Sequence, residues 1–551
     1  MRTLCKTLWV VFFFLILSST GFCATKKVVI VHHSDTHGHI CSYPDFLASE
    51  TDRMEVGGFA SLKTFIDKVK EKEVSSDTLF LLLDSGDFFQ GTPVVDETKG
   101  ECMFRFMNAL GYNASALGNH EYDYGQKRFS ELAANASFPI LCCNVFNKED
   151  GKCPEYFKPY LMLDFQNTKV AVIGITTPEM PQLVLDGLID GLEFRNPVPI
   201  LNSLIPELRE KGARIVIILS HLGILLDKTL LSSIDADLVL GGHSHRKYDQ
   251  IEYLGDRKVP LIHPGADLRG ASKVTLEFDD EPGKKGVTSL QYEPVLLFLA
   301  SYTEDEQIKK LSDEYMFEIR KKTSEVIGTS EVDLKRGVVG GDSQAGAFVA
   351  DAMREYSGAD FAFANLGGVR FPINKGPITL EQIFLLQPFP NTVEIIEMTA
   401  SEITHMIEQS LSVPFYKITP QEKEMVKTEM HVEAEGMIRD FGGRFGHLIP
   451  SNLIITFNPE RPSGQRIISL VDGNGKQLEK DVKYKVAFNS FISSGGDGYA
   501  FLKDFKNRKY TDLIIRDLIV KKIRDLKVIK DLPKPRLINQ KLIIQEPKPT
   551  E

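Results

Sequence analysis

Asp35 and His37 in the run SDTHGH, Asp87 in DSGD, Asn119 in GNHE, His221 in LSHLG, and His243 and His245 in GGHSH combine carboxylate, amide and imidazole donors. That mixture suits borderline divalent cations, zinc foremost and manganese, cobalt or iron after it, whereas a calcium site is built almost wholly from oxygen. Two such ions about 3.5–4 Å apart can clamp a phosphoryl group while one activates a water for in-line attack. A carboxylate has two oxygens and can serve both ions, so Asp87 is the natural bridge. The remaining donors divide into Asp35, His37 and His245 on one ion and Asn119, His221 and His243 on the other.

Residues this far apart meet only if the chain returns repeatedly to one edge. Short β-branched or leucine-rich runs recur at Val28–Val31, Leu79–Leu83, Val170–Ile173, Ile215–Leu219, Leu238–Leu240 and Leu261–Ile262. Most are separated by polar, helix-competent stretches such as Ser61–Glu73 and Asn202–Lys211, which is the rhythm of an α/β layered domain. Four of the runs lead straight into the candidate ligands. A capping-box signal at Thr303–Glu306 opens a charged stretch with helical spacing at Ile308, Leu311, Tyr315, Phe317 and Ile319, read as a solvated connector.

The ordered pattern D-x-H, G-D, G-N-H-E, H and G-H-x-H resembles the calcineurin-like metallophosphoesterases. The run GNHEYD from Gly118 to Asp123 and a second set of motifs make the resemblance most specific to the 5'-nucleotidase family. That second set comprises NLGGVR from Asn365 to Arg370, QPF from Gln387 to Phe389, and NSFISSGGDGY from Asn489 to Tyr499. The resemblance covers about residues 27–505. It implies a four-layer α/β/β/α catalytic domain, a linker helix and a C-terminal α+β substrate-binding domain. It also makes His120 not a ligand but a group facing the phosphate, oriented by Asp123. A cationic imidazole there stabilises developing charge and can protonate the departing oxygen. In the second domain it makes Phe389 and Phe491 an aromatic sandwich for a base, Asp497 an acceptor for ribose hydroxyls, Arg370 a fork for phosphate, and Asn365 an aid near either. One position departs from the family pattern: an arginine is expected five residues before Gly346, where this chain has Gly341, and the nearest is Arg336.

Composition is that of an ordinary globular protein, with 42% hydrophobic and 25% charged residues, and the net charge of −10 argues against a binder of duplex nucleic acid. Arg2 and Lys6 followed by the apolar run Leu8–Leu17 and the small residues Gly21, Cys23 and Ala24 read as a cleaved signal peptide. The run is short of the roughly 20 residues of a stable membrane span. Lys541–Glu551 carries no hydrophobic anchor signal. The expected location is therefore periplasmic or extracellular. Cys41, Cys102, Cys142, Cys143 and Cys153 are an odd number for such a compartment, and Cys142 or Cys143 with Cys153 is a candidate loop staple.

The expected organisation is a signal peptide at 1–24, a catalytic domain at 25–302, a linker helix at 303–328, a substrate-binding domain at 329–540 and a frayed tail at 541–551. Tyr416–His447 reads as an inserted surface excursion, and Lys506–Lys541 as a packed terminal helix. The expected activity is hydrolysis of nucleoside 5'-monophosphates. Nucleoside di- and triphosphates, UDP-sugars and 2',3'-cyclic nucleotides present phosphorus to the same metals, and sulfur-ester hydrolysis on this scaffold is a more distant possibility. A nucleotide-binding surface protein without catalysis is the alternative from another class.

Overall fold

The structure, a computed structural model, describes residues 26–545 except 45–54, 167, 186, 255–256, 279–286, 338–340, 419–422, 424–432, 440–445 and 481. The signal-peptide expectation and most of the 416–447 excursion lie outside the described residues.

Two six-stranded sheets form the centre of the catalytic domain. The first has the order Ser289–Leu296, Gly270–Phe278, Lys26–His33, Thr78–Asp84, Ala114–Ala116, Ile140–Leu141; the second, Lys247–Leu254, Arg257–Pro264, Leu238–Gly241, Ala213–His221, Thr168–Thr176, Tyr160–Phe165. Alternation along each strand explains their stacking, since successive side chains point to opposite faces. Val28, Ile30, Leu81 and Leu83 of the first sheet share one buried cluster with Val170, Val172, Ile215 and Ile217 of the second. The opposite faces turn outward to helices. Val29, Val31 and Leu82 pack with Phe59, Leu62 and Ile66 of the helix Phe59–Glu73, and Ala171, Ile173, Val216 and Ile218 pack with Leu201, Ile205 and Leu208 of Pro197–Glu210. The α/β/β/α order is therefore written in the period of two.

The helix Glu306–Thr323 is packed rather than solvated. Ile308, Met316 and Ile319 join the catalytic-domain core and Ser312 donates to the carbonyl of Ile40 at 3.3 Å, while Phe317 is left 68% exposed. The buried stripe thus runs through Met316 in place of Phe317. Its N-cap is Asp305, not Thr303: the Asp305 carboxylate accepts from the backbone N–H groups of Gln307 and Ile308 at 3.1 and 2.9 Å. Two residues with capping chemistry stood close together, and the charged one satisfies both orphan donors. Gly328 does not end the linker but lies inside the strand Val326–Ser330, which pairs with Gly376–Thr379 and Val528–Ile529 of the second domain.

The second domain is built on a five-stranded sheet ordered Leu448–Ser451, Phe361–Asn365, Lys483–Asn489, Thr392–Thr399, Arg508–Ile514. The helices Gln344–Ser357 and Ile515–Leu526 share one buried cluster with its strands, and Ala400–Ser410 lies in another. The Lys506–Lys541 segment is not one helix, since Ile515–Leu526 is flanked by strands on both sides. The beginning of the supposed tail is held, because Leu542–Gln545 pairs antiparallel with Glu433–Gly436. All five described cysteines carry free thiols, so there is no loop staple among the described residues.

Candidate active site

Every candidate ligand sits at or just beyond the carboxyl end of a parallel strand, the edge where α/β sheets bind their ligands. Asp35 and His37 follow Lys26–His33, Asp87 follows Thr78–Asp84, Asn119 follows Ala114–Ala116, His221 ends Ala213–His221, and His243 and His245 follow Leu238–Gly241. Five of the seven turn the backbone left-handed: Asp35 at φ 51°, His37 at 45°, Asp87 at 58°, His243 at 73° and His245 at 54°. Such conformations are uncommon outside glycine and concentrate at functional sites.

Donor atoms of Asp35, His37, Asp87 and His245 lie within 4.8 Å of one another, as do those of Asp87, His221 and His243, and Asp87 belongs to both groups. His37 Nε2 and His245 Nε2 stand 3.0 Å apart, close to the ligand spacing around an ion with metal–nitrogen bonds of about 2.0–2.1 Å. Partners of the second ring nitrogens leave the first free to coordinate. His37 Nδ1 donates to the carbonyls of Phe89 and Gln90 at 3.1 and 2.9 Å, and His221 Nδ1 to that of Ser85 at 2.7 Å, so each Nε2 faces the cluster. Asn119 Oδ1 is buried without a hydrogen-bond partner, an acceptor that a cation would satisfy.

The charges agree with a cation site. Burial favours the neutral forms of His37, His245 and His243; His243 is lowered to about 3, and all three rings offer lone pairs. Burial also opposes charge on His221, yet the carboxylates of Asp87, Asp35 and Glu121 push it up to about 10. Asp87 is held well below the usual carboxylate range by His221, His120 and His37, against the opposing effect of burial.

His120 stands beside this cluster. Its Nδ1 donates to Asp123 Oδ2 at 2.7 Å, its Nε2 is 4.0 Å from Asp87 Oδ2, and its backbone N–H donates to Asp87 Oδ1 at 2.9 Å. Burial lowers its basicity, but Asp123 and Asp87 outweigh this and raise its pKa above the ordinary value.

Glu121 carries a role that the motif alone did not disclose. Its fully buried carboxylate accepts four backbone N–H groups: Asp87 at 3.0 Å, Phe88 at 2.9 Å, Phe89 at 3.2 Å and Gly118 at 2.7 Å. It thereby binds the loop of Asp87 to the loop of Asn119 and His120. Gly118 permits the approach, since a Cβ there would collide with Asp87 Oδ1.

The second domain brings only part of its expected set to this point. The Arg370 guanidinium donates to His120 Nε2 at 3.1 Å and lies 5.5 Å from the centre of the Phe389 ring. Phe389 itself stacks on His120, with centroids 5.7 Å apart and planes at 26°. Arg336 donates from Nε to the carbonyl of Val369 at 2.6 Å, and burial together with neighbouring Arg370 lowers it to about 10. An arginine does reach the neighbourhood left short by Gly341. Asn365, Asp497 and Phe491 form a separate group: Asn365 Nδ2 donates to Asp497 Oδ2 at 2.8 Å, and Asn489 Nδ2 donates to Asn365 Oδ1 at 2.7 Å. Phe491 packs on Gly496, where a Cβ would meet its ring at 2.6 Å. Among the described residues no ring contact joins Phe389 to Phe491.

Two family models match the chain: the calcineurin-like phosphoesterase over residues 28–247 and the 5'-nucleotidase C-terminal domain over 326–504. Among curated relatives, the snake venom 5'-nucleotidase of Crotalus adamanteus is 28% identical over 546 residues, covering 89% of this chain and 86% of that one. Protein UshA of Yersinia enterocolitica is 26% identical over 564 residues, covering 93% and 94%. Among solved structures, the 5'-nucleotidase precursor of Thermus thermophilus superposes with a TM-score of 0.80 at 26% identity, covering 93% of this chain and 99% of that one.

Proposed function

Because the chain belongs to the 5'-nucleotidase family of calcineurin-like metallophosphoesterases, we propose that it hydrolyses nucleoside 5'-monophosphates to nucleoside and phosphate. The observation that carries the reading is the meeting of Arg370 and Phe389 with His120, beside a cluster of carboxylate and imidazole donors. A group for phosphate, a group for a flat base and a proton-transferring imidazole are thus brought together from two domains.

In this reading Asp35, His37, Asp87 and His245 hold one divalent ion, and Asp87, Asn119, His221 and His243 the other, zinc being the first choice for both. When bound, the ions supply Lewis-acid charge and a water made nucleophilic at neutral pH. Asp123 holds the His120 ring in one orientation and favours its charged form, so that a proton at Nε2 can pass to the departing ester oxygen. Arg370 neutralises phosphate charge through its planar fork. Phe389 covers His120 on one face and offers the other to a base, excluding water from the imidazole. Asn365 and Asp497, already joined by a hydrogen bond, present an amide and a carboxylate to ribose hydroxyls.

Arg336 beside Arg370 favours a second reading, in which nucleoside di- or triphosphates or UDP-sugars are taken as well, since two adjacent guanidinium groups suit a substrate of higher charge. We also infer export, from Arg2, Lys6 and the run Leu8–Leu17. No helix of the described residues is long and apolar enough to cross a membrane. Phosphate release from a panel of nucleoside mono-, di- and triphosphates, UDP-sugars and cyclic nucleotides, with and without chelator, tests the proposal. Monophosphate turnover that is absent while other members are cleaved would remove the first reading in favour of the second. No turnover of any member with metal bound would remove both.

A further inference from the structure

Arg516 lies at the start of the helix Ile515–Leu526, yet its side chain serves a loop more than a hundred positions earlier. Its Nε donates to the carbonyl of Gln387 at 2.9 Å and its Nη2 to that of Pro388, the two residues that lead into Phe389. The guanidinium lies 3.9 Å from the centre of the Phe384 ring, which fixes its plane. The same Nη2 reaches across the domain interface to Asp96 Oδ2 at 3.5 Å. Asp96 sits in the helix Pro93–Thr98, and its other oxygen accepts from Tyr124 Oη at 2.7 Å. Tyr124 Oη, with a single proton to share, is also 3.0 Å from the side-chain Oε1 of Gln90, and the backbone carbonyl of Gln90 receives His37 Nδ1. A chain of polar contacts therefore runs from the backbone before Phe389 to Gln90, whose backbone holds a residue of the candidate metal centre.

We propose that Arg516 and Asp96 are positioning residues for the nucleoside: together they tie the Phe389 loop to the catalytic domain and so hold the ring over His120. The inference rests on the assignment of Phe389 to the base. With side chains only 12% and 22% exposed, the pair contributes little net to folding, because desolvating both charges offsets their attraction. Its effect lies elsewhere. A guanidinium already fixed by two carbonyls and a ring loses little further freedom in meeting a carboxylate, so the pair transmits position from one domain to the other. Without it, the loop keeps its local structure but loses its register against His120, and a base must order that ring on binding.

The test uses the full chain and the variants Arg516→Ala, Arg516→Lys, Asp96→Asn and the double variant Asp96→Asn/Arg516→Ala. Steady-state kinetics are measured on a nucleoside 5'-monophosphate and on p-nitrophenyl phosphate. Loss of preorganised stacking is expected to raise the nucleotide KM about tenfold in Arg516→Ala and in Asp96→Asn, with kcat and the aryl ester changed less than about twofold. The double variant is expected to be no worse than Arg516→Ala, and Arg516→Lys, which lacks the fork, not to rescue. A second readout needs no turnover. Phe389→Trp in a Trp9→Phe background gives a single indole, because Trp9 is the only tryptophan in the sequence. Its quenching by acrylamide is expected to increase when Asp96→Asn is added. Unchanged quenching overturns the proposal, as do equal losses on the two esters, whatever the natural substrate proves to be. Asp96→Asn preserves side-chain volume and keeps the test available if Arg516→Ala does not fold. A wild-type chain that cleaves p-nitrophenyl phosphate but no nucleotide counts against the proposed function, and leaves quenching to decide the positioning.

Discussion

Arg370 donates to Nε2 of His120 over 3.1 Å although 250 positions separate the two residues. A guanidinium can only donate, so Nε2 accepts in this contact, and a proton taken up at Nε2 displaces it. An entering phosphate offers acceptor oxygens to the guanidinium and, once Nε2 takes up a proton, to the imidazole as well. In the proposed reading, the contact marks where the two domains meet the substrate phosphate.

His120→Ala is predicted to lower kcat by about 10²–10⁴-fold, the usual contribution of a general acid–base group. Metal content should stay near that of the wild type, because no metal is assigned to this ring. Elemental analysis beside single-turnover rates checks both halves, and a variant that loses an ion would make His120 a ligand.

Chelation is predicted to abolish activity and added divalent metal to restore it. Asp87→Asn should reduce the content from two ions per chain by more than Asn119→Ala does, because Asp87 belongs to both donor groups. Mass spectrometry under non-denaturing conditions counts the ions. Full activity in protein shown to be metal-free would end the dinuclear reading.

Stacking a base on an aromatic is worth about 1–3 kcal/mol, so Phe389→Ala and Phe491→Ala should each cost about 5–150-fold in kcat/KM for a nucleotide. The losses on a small aryl phosphate should be much smaller. The two rings are expected to differ, because Phe389 also covers His120 and its removal admits water there. Equal losses on both substrates at both positions would assign the rings to packing.

Glu121→Ala should destabilise the chain by at least about 3 kcal/mol, since it leaves four backbone N–H groups buried without an acceptor. Glu121→Gln is expected to recover only part, because its amide nitrogen faces donors with a donor. Denaturant midpoints measure the effect; a shift under about 1 kcal/mol in the alanine variant would show that water or other groups take over.

Asp96 is pushed up to about 6, by burial and to a smaller degree by Asp123, against Tyr124 and Arg516, which pull it down. Its pair with Arg516 is therefore present above about pH 6 and lost as the pH falls through that value. The ratio of nucleotide KM to aryl phosphate KM should rise on acidification below about 6, and Asp96→Asn should flatten it. The two esters titrate at different pH, the aryl ester lower, so the same ratio measured in Asp96→Asn is the control that removes their contribution. The folded value lies above the 3.8 of an ordinary aspartate, so ionising Asp96 costs stability as pH rises from about 4 to 6. Its charge is not kept for folding.

What could be read from the sequence was local. The strands before Asp35, Asp87, His221 and His243 show as apolar runs, and their ligands stand at or just after the strand ends because there a side chain can turn from the sheet's faces toward a site at its edge. Ala114–Ala116, which carries Asn119, is too short to show any period, and only the motif located it. The acceptor role of Glu121, the pairing of Arg370 with His120 and the reach of Arg516 to Asp96 join segments whose approach no periodicity encodes. Phe389 was assigned a base to stack on, and the structure adds His120 as its neighbour.

The left-handed backbone at Asp35, His37, Asp87, His243 and His245 has a consequence for metal supply. Each such residue costs of the order of 1 kcal/mol, which the rest of the fold must offset. In the proposed reading the polypeptide, through these turns, sets much of the shape of the coordination shell. On the same reading its mixed imidazole, amide and carboxylate donors would serve more than one borderline cation. Exchange of one ion for another should then change the reaction rate while the melting temperature and the spectra of the fold stay nearly constant.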